Sequence, residues 1–167
     1  MGLGTSKICQ ISVCVEDLRK AEKSYTALLG VEPIRFKLSP FKEVPAFTHG
    51  KPDHGMQKID FLVYNLEGGI ALEVYGPCPE GTPAQEFLKK HGPGVMNFAF
   101  MVNDRKLAYD EIAKVCEQGQ PYHEGYFPDC TYSFVDTFEE LGTELNIKQL
   151  VDNRQNVKDI LAVYPND

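Results

Sequence analysis

No apolar run in this chain approaches the ~20 residues that a membrane-spanning helix needs, and the opening MGLGTSKICQ lacks the apolar stretch of a secretory leader. No two cysteines stand at CxxC spacing. Cys9, Cys14, Cys78, Cys116 and Cys130 are scattered and odd in number, which argues against structural zinc and for reduced thiols in a cytoplasmic protein. Glycine-rich phosphate loops, the GxGxxG fingerprint and a Ser–His–Asp order are all missing, which removes the common nucleotide-binding and serine-hydrolase signatures. Basic residues are outnumbered by acidic ones, 17 to 24, and the net charge of −7 excludes nucleic acid or an anionic membrane as the main partner. What remains is an ordinary globular composition, 43% hydrophobic and 25% charged, in 167 residues. That length suits one domain or two small halves sharing a core.

The chain then says one thing twice. Residues 10–17 read QISVCVED and residues 97–104 read NFAFMVND. Both run amide, apolar, small, apolar, apolar, Val, polar, Asp, and both lead into a helical pattern. A second echo follows each copy: GIALE at 69–73 and GTELN at 142–146. The copies are 73 to 87 residues apart, too long for a solenoid repeat and right for a duplicated module. Gln10 and Asn97 lead the copies, and Glu73 and Asn146 end the echoes. These four become candidates for one site shared between the halves.

The local patterns predict α+β architecture, two βαβββ modules forming a curved mixed sheet around a central cavity. In the first module (1–78), residues 7–15 alternate as a strand. Asp17 caps a helix whose apolar stripe is Leu18, Ala21, Tyr25, Leu28 and Leu29 and which Gly30 stops. Strands are expected at 32–39, 57–65 and 69–75. Residues 40–55, with three prolines and two glycines, read as loop. A linker (79–93) carries a short helix with Thr82 at its N-cap, Pro83 first and Gln85 third. The second module (94–151) repeats the order with a strand at 94–103 and a helix at 105–118 that turns Ala108, Ile112, Val115 and Cys116 inward. Strands follow at 120–127, 130–137 and 143–151. The tail (152–167) reads as a final helix on the outside or a partner contact.

Strand alternation sorts the polar residues by face. Gln10 and Ser12 share one face of the first strand, Asn97 and Ala99 one face of its counterpart. Ala71, Glu73 and Tyr75 share a face, as do Glu144, Asn146 and Lys148. With helices over the bulky faces, these residues line the concave side, so Gln10, Ser12, Asn97, Asn146 and Lys148 are expected to bind substrate. Glu73, Glu144 and Asp60 are the carboxylates placed to move a proton, with Asp53 and His54 nearby as weaker candidates. His123 on a strand reads as structural. Arg35, Lys37, Lys42 and Lys51 form a basic cluster that an anionic ligand could meet.

The stretch KICQISVCVEDLRKAEKSYTALLGVEP resembles the opening of a vicinal oxygen chelate module, the superfamily of glyoxalase I, methylmalonyl-CoA epimerase, bleomycin-resistance proteins and extradiol dioxygenases. GIALEVYGP, PAQEFLKKHGPGVMNFAFMVND and SFVDTFEELGTELNIKQL are similar to its middle and closing segments, so the resemblance runs to Val151. It implies a divalent metal ion (Mg²⁺, Mn²⁺, Ni²⁺, Co²⁺ or Zn²⁺) held at the positions of Gln10, Glu73, Asn97 and Asn146. The chain departs from the usual pattern by carrying Asn where His and Glu stand at the third and fourth positions. Three neutral amides and one carboxylate suit hard ions better than Zn²⁺ or Ni²⁺.

The resemblance implies a glyoxalase-like lyase or an epimerase/isomerase that transfers a proton next to a carbonyl on a small anionic or thioester substrate. The alternative is a metal-free small-molecule binder of the bleomycin-resistance type. An extradiol dioxygenase is set aside because its iron needs two His and a carboxylate. A homodimer in the cytoplasm is the expected form.

Overall fold

The structure is a computed structural model and describes residues 2–167. Its strands form a single ten-stranded mixed sheet. The first half supplies β1 (Ile8–Cys14), α1 (Leu18–Leu29), β2 (Ile34–Phe36), β3 (Ala46–Thr48), β4 (Lys51–Pro52), β5 (Phe61–Leu66) and β6 (Ile70–Tyr75). After α2 (Pro83–His91) come β7 (Gly94–Met101), α3 (Arg105–Ile112), β8 (His123–Tyr126), β9 (Cys130–Val135), α4 (Phe138–Leu141), β10 (Glu144–Leu150) and α5 (Arg154–Val163). The spatial order is β2-β5-β6-β1-β7-β10-β9-β8-β3-β4. The two halves meet antiparallel at β1 and β7, and each of these strands pairs in parallel with the last strand of its own half, β6 or β10.

The doubled sequence is doubled structure. Asp17 caps α1 by accepting from Lys20 N at 2.9 Å, and Asp104, its equivalent, caps α3 by accepting from Leu107 N at 3.0 Å. Gly30 leaves α1 in the left-handed region, at φ 67°. In the linker, Thr82 accepts from Gln85 N at the start of α2. Glu73 stands opposite Ser12, and Asn146 stands opposite Ala99, the same register in both halves.

Two apolar clusters lie on the convex side and one in the concave interior. Val13, Leu62, Tyr64, Leu72 and Val74 pack under Leu18, Ala21 and Tyr25 of α1. Val135, Leu145 and Ile147 pack under Ala108, Tyr109 and Ile112 of α3. The third cluster is largely aromatic (Phe61, Tyr75, Phe87, Tyr132, Phe134, with Met56 and Met96) and takes Ala84 and Phe87 from α2, so the linker helix plugs part of the hollow. A register shift between Ser12 and Val13 makes Met96 an extra residue in β7, and Met96 and its neighbour Asn97 are both fully buried.

The structure departs from the sequence expectations at several places. Residues 40–55 are not only loop: β3 and β4 lie within them, and β3 pairs with β8 of the other half. Short edge strands next to Pro45 and Pro52 carry too little alternation to be read. Leu28 and Leu29 of the expected stripe are exposed, because α1 has left the sheet by its last turn. α3 stops at Ile112, so Val115 faces solvent while Cys116 remains buried in the turn that follows. The four-residue α4 was not anticipated. No helix among the described residues is long and apolar enough to cross a membrane.

Asp53 fixes the segment that carries β3 and β4. One carboxylate oxygen accepts from the amides of Gly55 (2.8 Å) and Met56 (3.1 Å), the other from the Thr48 hydroxyl (2.6 Å). Thr48 in turn meets His123 Nδ1 at 2.8 Å, and His123 Nε2 meets the Tyr132 hydroxyl at 3.3 Å. Burial pushes the His123 imidazole down to about 4, so it is neutral near pH 7. Because Thr48 donates to Asp53, His123 carries its proton on Nδ1 and accepts from Tyr132.

Glu144 is a buried carboxyl at the start of β10. It is 5% exposed, accepts from the Tyr122 hydroxyl at 2.7 Å, and burial pushes its pKa to about 8.

Asp53→Ala removes three hydrogen bonds to a buried carboxylate and should destabilise the protein by about 3 kcal/mol, measured by urea unfolding. For Glu144 the folded state keeps a proton that the unfolded chain releases, so stability falls as pH rises from the unfolded value near 4.5 through 8. Glu144→Gln should therefore gain thermal stability relative to the parent between about pH 5 and about pH 9, followed by circular dichroism melts.

Candidate functional site

The register lays the site residues out in two rows across four strands of the concave face. One row runs Ala71 (β6), Gln10 (β1), Ala99 (β7), Asn146 (β10). The next runs Glu73, Ser12, Asn97, Glu144 on the same strands. Lys148 follows Asn146 on the same face of β10. Ala71 and Ala99 flank Gln10 with little more than a methyl group each, which leaves space above the sheet.

That space is a cavity of about 100 Å³. Its polar part is Gln10, Glu73, Asn146 and Lys148. Its walls are Phe36, Leu38, Met56, Phe61, Tyr75, Phe127, Tyr132 and Phe134. β2 turns Phe36 inward by alternation, β5 and β9 contribute Phe61 and Phe134, and the segment anchored by Asp53 contributes Met56. Leu38, Met56, Phe61 and Phe134 are lining residues that the sequence reading missed. Phe134 had a readable signal, since it stands opposite Asn146.

Gln10 organises the polar part. Its amide nitrogen donates to Glu73 Oε2 at 2.6 Å and to Ser12 Oγ at 3.0 Å. Its carbonyl oxygen accepts from the ammonium of Lys148. Burial raises the Glu73 pKa above the usual carboxylate range, and Lys148 and the Ser12 hydroxyl pull it partly back. Asn146 is 2% exposed and its Oδ1 has no partner among the described residues.

The remaining expected site residues lie elsewhere. Asn97 is fully buried between Ser12 and Glu144, and neither of its side-chain polar atoms finds a partner among the described residues. Glu144 opens instead on a second cavity, about 320 Å³, with His49, Glu86, Lys90, His91, Tyr122 and Asp136. Glu73 lines the first cavity and Glu144 the second, so the two carboxyls do not face one bound carbon. Asp60 is exposed and paired with Lys37 at 3.2 Å. Arg35 pairs with Glu22, and Lys42 and Lys51 point to solvent, so the basic residues do not converge on the cavity. Asp53 is committed to its turn, and His54 pairs with Asp167 at 2.9 Å on the surface.

A divalent metal does not fit this donor set. No group of three or more His, Cys, Asp or Glu among the described residues is arranged to hold one. Glu73 supplies the one carboxylate, Asn97 does not reach the cavity, and the Gln10 oxygen that a metal would need is held by an ammonium. Two unit charges 4 Å apart at an effective dielectric near 20 interact by about 4 kcal/mol. A divalent ion beside Lys148 doubles that as repulsion.

Residues 9–126 match the family model of the glyoxalase/bleomycin resistance protein/dioxygenase superfamily. No curated protein matches the chain by sequence. Among solved structures, a hypothetical protein from Bacillus halodurans C-125 is similar with a TM-score of 0.57 and 18% identity, over 88% of this chain and 96% of that one. Methylmalonyl-CoA epimerase from Mycobacterium tuberculosis gives a TM-score of 0.57 and 15% identity, over 93% and 94%. A variant of the Streptomyces coelicolor epimerase in complex with 2-nitronate-propionyl-CoA gives 0.53 and 18%, over 87% and 94%. At these identities the likeness concerns the fold, and it is the fold that the doubled βαβββ order implies. With the family model covering most of its length, the chain belongs to the glyoxalase/bleomycin resistance protein/dioxygenase superfamily.

Proposed function

We propose that the protein is an enzyme of the glyoxalase/epimerase type, a lyase or isomerase that moves a proton at the carbon next to a carbonyl of a small substrate. The observation that carries this reading is the Glu73 carboxylate in a small cavity with apolar walls, held from one side by the Gln10 amide. A base near neutrality is most useful when its pKa approaches the working pH, and burial moves Glu73 in that direction. Glu73 takes the proton from the carbon. The Asn146 amide, which lines the same cavity, orients the substrate, and the aromatic walls keep water from the carbanionic intermediate.

Asp60 and Glu144 have no part in this mechanism, the first for its exposure and the second because it faces the other cavity. A single base that delivers the proton to a different atom, or to the other face once the intermediate has turned, serves an isomerase or a lyase equally. Likeness of fold to methylmalonyl-CoA epimerases favours thioesters among the substrates to try first. The binding-protein alternative is weaker for this cavity, whose volume of about 100 Å³ is well under the roughly 300–1,000 Å³ of drug-sized ligand sites. We place the protein in the cytoplasm, consistent with its five free cysteines, and assign it homodimeric form by family.

The test is solvent deuterium exchange, followed by NMR, into a panel of acyl-CoA thioesters, 2-hydroxyaldehydes and 2-oxo compounds. At least one should exchange, and Glu73→Gln should slow it by about 10²-fold or more. The kcat/KM profile should rise with pH through a pKa above 4.5, since the base works only when ionised. Binding without exchange across the panel would contradict the enzyme reading and favour the binder.

A further inference from the structure

We propose that Lys148 is the resident cation of this site, standing where other members of the fold hold a metal, and that the reacting group it receives is an uncharged carbonyl. The inference deepens the proton-transfer reading by naming the group at the substrate oxygen and the charge class of the substrate. It rests on three observations. The Lys148 ammonium is bound to Gln10 Oε1, the atom that the first position of the repeat offers to a metal. Glu73, hydrogen-bonded to the other end of the same amide, is the one carboxylate lining the cavity. Asn146, two residues from Lys148 on the same face, lines the same space and keeps a buried Oδ1 without a partner among the described residues, an acceptor for a hydroxyl beside the carbonyl.

Charge balance selects the substrate. Glu73 and Lys148 together carry no net charge, so an uncharged carbonyl enters without adding any. Glu73 then forms a bond to the proton of the neighbouring carbon. The C–H electron pair becomes the C=C bond, and the C=O π pair moves onto oxygen. The negative charge thus passes from Glu73, now neutral, to the substrate oxygen, where the Lys148 N–H donates to it. Nothing is oxidised or reduced, and return of the proton from Glu73 to the neighbouring carbon, or to the opposite face of the first carbon once the intermediate has turned, completes an isomerisation. A free carboxylate in the same place would meet Glu73 as a like charge. An acyl thioester or a 2-hydroxyaldehyde or ketone therefore fits, and a 2-oxo acid bound through its carboxylate does not. Charged groups elsewhere on the substrate remain outside the cavity.

The charge arrangement can be read without turnover. Acetate serves as a probe for the oxyanion, its binding followed by protein NMR shifts with EDTA present throughout. Glu73→Gln removes the like charge and should bind acetate about ten-fold tighter than the parent, Lys148→Gln about ten-fold weaker, and Lys148→Arg close to the parent. In parallel, Mn²⁺ titration followed by electron paramagnetic resonance should find no stoichiometric site in the parent. The double variant Asn146→Glu, Lys148→Met should take up one Mn²⁺ per chain if it folds, and Lys148→Gln alone provides the acetate readout if it does not. No acetate binding by the parent in EDTA, or binding that is indifferent to Lys148→Gln, or one Mn²⁺ per parent chain lost in Glu73→Gln, would overturn the assignment. Lys148-dependent acetate binding without deuterium exchange into any substrate would leave the cation in place and defeat the proton-transfer reading instead.

Discussion

The Gln10 amide joins two opposite charges that come from different halves of the sheet. Its nitrogen donates to Glu73 on β6 and its oxygen accepts from Lys148 on β10, with β7 between Gln10 and the lysine. An amide is the side chain for this position because it both donates and accepts. A carboxylate there could accept from Lys148 but could not donate to Glu73. The arrangement depends on β1 and β7 pairing in their observed register, since a slip by one residue would turn Gln10 under α1 and bring Ile11 into the cavity. The duplication, the antiparallel junction and the convex helices all serve to keep that register.

The concave interior is arranged around the same constraint. Ala71 and Ala99 leave room beside Gln10, while α2 fills the hollow at another point with Ala84 and Phe87. The result is two unequal spaces, the small one holding Glu73 and the larger one holding Glu144. Asn97 lies fully buried between them with its polar atoms unpaired, a cost of about 1–3 kcal/mol for each unsatisfied group. The first half has kept a working polar pair. In the second, the equivalent amides have become wall and floor, and the lysine beyond them supplies the charge.

Much of this was legible in the residues. The repeated Asp at the end of each sentence caps two helices, and the strand alternation placed Gln10, Glu73, Asn146 and Lys148 on the concave face, where the cavity is. Three things were hidden for physical reasons. Glu144 shares its face with Lys148, but alternation says nothing of how far along the strand a cavity extends. Asp60 and the basic residues around it looked available because pairings such as Lys37 with Asp60 come from strands distant in sequence. The β3–β4 segment was obscured by its prolines, although it carries Met56 to the cavity and ties the halves together through Asp53, Thr48 and His123. The contact between Lys148 and Gln10 could not be read from spacing, since it lies in which atom of Gln10 faces which partner.

The most direct test is a crystal of the protein soaked with Mn²⁺ and acetate together and examined by anomalous scattering. The expected result is acetate in the cavity with an oxygen within hydrogen-bond reach of Lys148 Nζ, and no anomalous peak between Gln10 and Glu73. An anomalous peak coordinated by Gln10 and Glu73, with the Lys148 ammonium displaced, would contradict the assignment of Lys148 as the site's cation.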